Sequence, residues 1–156
     1  GYTYGSNDIW QMYSEGRAPV LDARLGWKQA MDLPGAYQMQ YLKNFFESIE
    51  WQDLEPAQEI ILSENPEDSG YIVAAKAQEI AVFYSPEGRS FSADLQELQN
   101  KKLKAYWFNP REGSFQKHKN LKDTQKSFFT TPSSGHGKDW LLLVLPKSRS
   151  INTTIN

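Results

Sequence analysis

Apolar and polar residues follow one rhythm up to Pro56 and a different one after it. In the first part the clearest repeat is helical. Met39, Leu42, Phe46 and Ile49 recur at steps of 3, 4 and 3, which lays one apolar stripe along a helix. The spacing predicts a helix from about Ala36 to Ser48, opened by Asp32-Leu33-Pro34-Gly35. In that opening Pro34 suits the first turn and Asp32 suits the cap. A shorter helix is expected over Trp27 to Met31. Trp51 and Leu54 carry the apolar side onward, and Pro56 blocks further helix. One amphipathic helix among loops cannot bury its own face, so this region must pack on the C-terminal half or on sequence outside the chain. Phe46→Asp is then expected to prevent folding.

From Gln58 the period becomes two. Expected strands are Glu59–Leu62, Tyr71–Ala77, Ile80–Tyr84, Ser90–Leu95, Leu103–Phe108, Ser114–Lys117, Gln125–Thr130 and Trp140–Leu145. Turn signals separate them, among them Asn65-Pro66-Glu67-Asp68, Ser85-Pro86-Glu87-Gly88, Asn109-Pro110-Arg111-Glu112-Gly113 and Pro132-Ser133-Ser134-Gly135. In the Asn109–Gly113 turn Pro110 presets φ, and Gly113 can take the left-handed position that closes a hairpin. Seven to eight short strands without intervening helices predict a mainly β fold, an antiparallel β-sandwich. The polar, aperiodic residues 147–156 are expected to form a flexible tail.

At 156 residues, with 39% apolar and 23% charged residues, the chain can build a packed core. It has no cysteine, so disulfides, thiolate metal sites and cysteine nucleophiles are excluded. A net charge of −2 does not mark a nucleic-acid binder. No apolar run approaches the length of a membrane span. The chain starts at Gly1 without Met or signal peptide, as expected of a processed product or a piece of something longer. Charge is segregated: eight acids and no base lie between Lys43 and Lys76, and eight bases lie from Lys101 to Lys126.

Candidate chemistry is sparse. His118 and His136 are the only side chains titrating near neutral pH without a shift, and both are read as surface groups. Two histidines fall short of a metal site, and no phosphate loop or dinucleotide fingerprint is present. Paired carboxylates of a glycosidase would need a cavity that the N-terminal acids lack, so solvated acids are the better reading. In Lys104-Ala105-Tyr106-Trp107-Phe108, bases interleave with aromatics. Alternation puts Trp107 in the core with Leu103 and Ala105, and leaves Lys104, Tyr106 and Phe108 outward. Glycan stacking by Tyr106, Trp107 or Phe108 stands as the alternative. The aromatic start, Tyr2, Tyr4, Trp10, Tyr13 and Trp27 among Gly5, Asn7, Asp8 and Gln11, suits either a sugar-binding lip or packing against the helix.

Four stretches occur in order: Y-T-Y-G-S-N-D-I-W-Q-M-Y (2–13), W-K-Q-A-M-D-L-P-G-A-Y-Q-M (27–39), A-Y-W-F-N-P-R-E-G (105–113) and D-W-L-L-L-V-L (139–145). Together they resemble the C-terminal part of the apiosidase-like glycoside hydrolases. There a (β/α)8 barrel precedes a β-sandwich labelled "putative collagen-binding domain of a collagenase". The resemblance implies that residues 1–56 are the incomplete end of the barrel and 57–146 the sandwich. It places Tyr4, Asn7 and Trp10 along the parent's substrate cleft and makes the helix from Ala36 the last barrel helix. Family members often carry His where this chain has Tyr2. Catalytic carboxylates of such barrels come from earlier strands, so none is carried over to this chain.

The expectation is a non-catalytic accessory domain that braces the catalytic barrel of a secreted bacterial polysaccharide-degrading glycoside hydrolase, at the cell envelope or outside the cell. The alternative is a carbohydrate- or collagen-binding module, and enzyme activity of this chain alone ranks last. The expected partners are the barrel of its own parent chain and polysaccharide. No cofactor, metal, nucleic acid or membrane span is expected, and the chain is expected to be a monomer.

Overall fold

The computed structural model describes residues 5–98, 102–121 and 126–151. Three helices come first: α1 (Asn7–Trp10), α2 (Trp27–Ala30) and α3 (Pro34–Glu47). Eight strands follow among the described residues: β1 (Glu55–Pro56), β2 (Val73–Lys76), β3 (Ala81–Ser85), β4 (Phe91–Ala93), β5 (Leu103–Asn109), β6 (Ser114–Asn120), β7 (Ser127–Phe129) and β8 (Trp140–Pro146). They pair antiparallel into a six-stranded sheet, in the order β1-β2-β3-β8-β5-β6, and a two-stranded ribbon of β4 and β7. The mainly β, antiparallel expectation holds.

Each face of the large sheet carries its own apolar layer. Towards the ribbon, Phe83, Phe91, Trp107, Phe129, Leu142 and Val144 form one buried cluster. Phe91 lies 5.0 Å from Phe83 and 5.5 Å from Phe129 between ring centroids. On the opposite face Val82, Phe108, Leu141, Leu143 and Leu145 are covered by Phe45 of α3 and by Ile49 just past its end. Strand β8 lies between the two layers, so all seven of its residues are buried. Its unbroken Trp-Leu-Leu-Leu-Val-Leu reflects burial on both sides, as in strands covered by two layers.

The helix docks through a stripe one position away from the one expected. Phe45 is wholly buried and packs on Phe108 and Phe115, with ring centroids 4.9 and 5.9 Å away. Ile49 is buried and Tyr41 partly so, whereas Phe46, Met39 and Leu42 are half-buried. Adjacent phenylalanines at 45 and 46 satisfy two helical stripes equally, and the sheet selects the 41–45–49 row. Tyr41 seats over Gly113, where an added Cβ would fall 2.5 Å from the ring. Gly113 has the expected left-handed φ of 67°, and its N–H closes the turn onto Asn109 O at 2.9 Å. Pro34 opens α3 as expected, but Asp32 does not cap it: its carboxylate accepts from the Tyr37 hydroxyl at 3.0 Å.

One expected strand is replaced. Residues 58–60 form a 3-10 turn rather than strand, and only Ile61 bridges, to Ala93. The cause is Gln58, whose side-chain amide donates to Ile72 O at 2.9 Å and accepts from Ala74 N–H at 2.5 Å. One side chain thereby occupies the backbone groups that a neighbouring strand would have paired. Beyond β8 the start of the expected tail remains attached as far as Ile151, and residues 152–156 lie outside the described residues. Lys147 N–H donates to Lys102 O at 2.8 Å, Arg149 pairs with Glu50 at 2.8 Å, and Ile151 packs on the helix-side layer.

Candidate functional site

The segment before α3 is shaped by polar side chains gripping backbone. The Asp8 carboxylate accepts from the N–H groups of Arg24 and Leu25 at 2.5 and 2.8 Å, and from Ser6 Oγ at 3.2 Å. These donors, Leu25 first and then Arg24, hold its carboxyl below the usual carboxylate range. Asn7 donates its amide to Leu21 O, and Gln11 clasps Val20 through both its N–H and its C=O. Met12, Leu21 and Asp22 adopt φ of 47°, 49° and 58°, a left-handed conformation costly for residues other than glycine. The result is a one-turn platform pinned to residues 20–25, with Trp10 73% exposed.

The predicted cleft residues therefore separate. Trp10 is presented to solvent, Asn7 commits its amide nitrogen to the backbone, and Tyr4 lies outside the described residues. The same segment also exposes Met12, Val20, Leu21, Leu25 and Met31.

Two of the three glycan-stacking candidates on β5 are corrected. Trp107 is only 1% exposed and Phe108 0%, so neither ring has a face open to a sugar. Trp107 fills the ribbon-side layer as its alternation indicated, while Phe108 lies under Phe45 of α3. Tyr106 is half-buried, with the Lys104 ammonium 5.6 Å over its ring.

His118 is not the surface group expected. Opposite Ala105–Tyr106 the β6 register slips by one residue, so Lys119 and Lys117 pair while His118 is extra. This bulge turns His118 inward, 6.0 Å from Trp107 and 5.9 Å from Phe129 between centroids. Its Nε2 and the Trp107 Nε1 are both buried without a hydrogen-bond partner. Burial, then the nearby Lys119, lowers the His118 pKa below 6.5. His136 is exposed in its loop.

A cavity of about 710 Å³ opens where the 3-10 turn after α3 meets the β2–β3 turn, lined by Glu50, Asp53, Glu55, Lys76, Glu79 and Glu97 among others. Lys76 is gripped by Glu97 and by Glu59, the latter at 3.0 Å, and these partners raise its pKa in that order. The acidic run before Lys76 was visible in sequence. Its convergence with Glu97 depends on the sheet. No group of His, Asp or Glu among the described residues is arranged to hold a metal ion, and no described helix is long and apolar enough to cross a membrane.

Comparison with known proteins places these features. Residues 56–145 match the family described as "Putative collagen-binding domain of a collagenase", and residues 1–53 match "Apiosidase-like, catalytic domain". The chain belongs to that sandwich family, joined in front to apiosidase-like sequence. Two solved structures share its fold: one titled "Glycoside hydrolase" and a glycoside hydrolase family 5 from Bacteroides vulgatus ATCC 8482. Each superposes with a TM-score of 0.89 at 26% identity over 96% of this chain. The chain spans 34% and 33% of their respective lengths. No curated protein matches its sequence. The two family matches meet at residues 53–56, where the 3-10 turn Trp51–Asp53 hands over to β1.

Proposed function

We propose that this chain is the non-catalytic C-terminal part of a secreted bacterial polysaccharide-degrading glycoside hydrolase, in which the sandwich braces the catalytic barrel. The observation that carries this is α3. It belongs to the stretch matched by the apiosidase-like catalytic domain, yet its Phe45, together with Ile49 just past its end, is buried on the sheet of the sandwich family. A shared helix of this kind joins two units rigidly. Burial of Phe45 and Ile49 contributes about 1.5–3 kcal/mol each.

In this reading the exposed Trp10, Met12, Leu21 and Met31 face the rest of the barrel, and Trp10 borders the substrate cleft. The reacting carboxylates belong to the preceding barrel, and a polymeric substrate requires the enzyme at the envelope or outside the cell. The test is an assay of this chain on a panel of aryl glycosides beside its whole parent enzyme. The parent should turn over at least one glycoside and this chain none. Turnover by this chain that vanished on replacing one of its own carboxylates would overturn the proposal.

A further inference from the structure

Of the bases that the sequence gathers between Lys101 and Lys126, the fold places Lys104, Lys117 and Lys119 on β5 and β6, the strand pair at one edge of the large sheet. On the helix-side face of β5, Lys104 and Tyr106 stand two residues apart, and Tyr106 pairs with Lys117 of β6. Lys104 and Lys117 thus stand on neighbouring strands across the bulge, both on the Tyr106 side of the sheet. The Lys104 ammonium is held over the Tyr106 ring, whereas Lys119, opposite Ala105 of the ribbon-side layer, donates to Phe128 O on the other face. Among the described residues, no carboxylate lies within 4.0 Å of Lys104, Lys117 or Lys119. At the far end of the sheet order, by contrast, Lys76 is held by two glutamates.

We infer that the β5–β6 face is a binding surface for a uronate-bearing polysaccharide. Oriented like charges without counter-ions focus a positive potential that an anionic polymer neutralises. A polyuronate brings one carboxylate per ring, which suits single ammonium groups spaced along strands. The chain as a whole is acidic, and the glutamates around Lys76 confine any anionic polymer to the β5–β6 edge. The choice of a glycan rests on the glycoside hydrolase reading above, but the surface is independent of the brace.

The experiment is affinity electrophoresis of the chain through gels containing alginate, dextran or dextran sulfate, with DNA in a further lane. The expected result is saturable retardation by alginate, none by dextran, and weaker retention by dextran sulfate and DNA. The double variant Lys104→Gln/Lys117→Gln should weaken alginate binding roughly 10-fold with an unchanged melting curve. No retardation by alginate would overturn the inference, as would equal retention by every polyanion or retention indifferent to the double variant. In those cases the lysines serve to keep an edge strand from pairing with other chains. The brace reading would survive any of these results, because it is tested by glycoside turnover.

Discussion

Residues 5–33 and the sandwich are held together by different physics. In the first, three polar side chains, Asn7, Asp8 and Gln11, hold the backbone of residues 20–25, and large apolar side chains remain in solvent. In the second, apolar layers on both faces of one sheet exclude water, with Phe45, Phe83, Phe91, Phe108 and Phe129 wholly buried. Hydrogen bonds to exposed backbone each contribute little net free energy, so they set a shape without supplying much stability. Burial supplies stability in proportion to area. The front segment therefore leaves its large apolar side chains in solvent, while the sandwich buries its own and has its second layer closed by Phe45 and Ile49.

The most damaging way to break the contrast is Phe45→Ala. It empties the contact between α3 and the sheet and should cost about 3–5 kcal/mol, read as a large fall in the denaturant midpoint. Phe46→Ala, at a half-buried position, should cost clearly less. An equal cost at both positions would mean that the helix docks through another face.

A smaller effect should come from acidification. The folded-state pKa of His118 is depressed below its ordinary 6.5, mainly by burial. The unfolded chain therefore takes up the proton first. The stabilising contribution of the neutral imidazole is complete above pH 6.5 and is lost as pH falls towards the folded-state value. Thermal melts should show this decline in wild type and a flatter profile in His118→Gln. Parallel profiles would place the titration elsewhere.

The smallest global effect belongs to Asp8→Ala. Exchange of the Arg24 and Leu25 amides should accelerate while the main melting transition stays in place, because the segment opens independently. Loss of the whole transition would show that the two regions fold as one.

Legibility in the sequence followed the same division. Seven of the eight expected strands formed with boundaries close to those read from alternation, as did the Asn109–Gly113 turn and the Pro34 helix start. The exception, residues 59–62, alternates correctly but lies beside Gln58, whose amide pre-empts the pairing. On β5, alternation sorted Trp107 from Tyr106 and Phe108, yet could not say that the outward face was covered. The platform under Trp10 was visible only as a cluster of amides and aromatics. Nothing in the spacing of Asn7, Asp8 and Gln11 shows that they hold residues 20–25.

By itself the sequence determined the strands, the turns and the start of the helix, because period and backbone stereochemistry act between near neighbours. It also determined, through the ordered motifs at both ends, the family to which the chain belongs. Only the tertiary structure decided which stripe of α3 is buried, that Phe108 is covered, that His118 turns inward at a bulge, and that Lys104 and Lys117 share one side of the edge strands. Each of these depends on a surface contributed by residues distant in the chain. Phe45 and Phe46 are chemically alike, and only the hollow formed by Phe108, Phe115 and Gly113 distinguishes them.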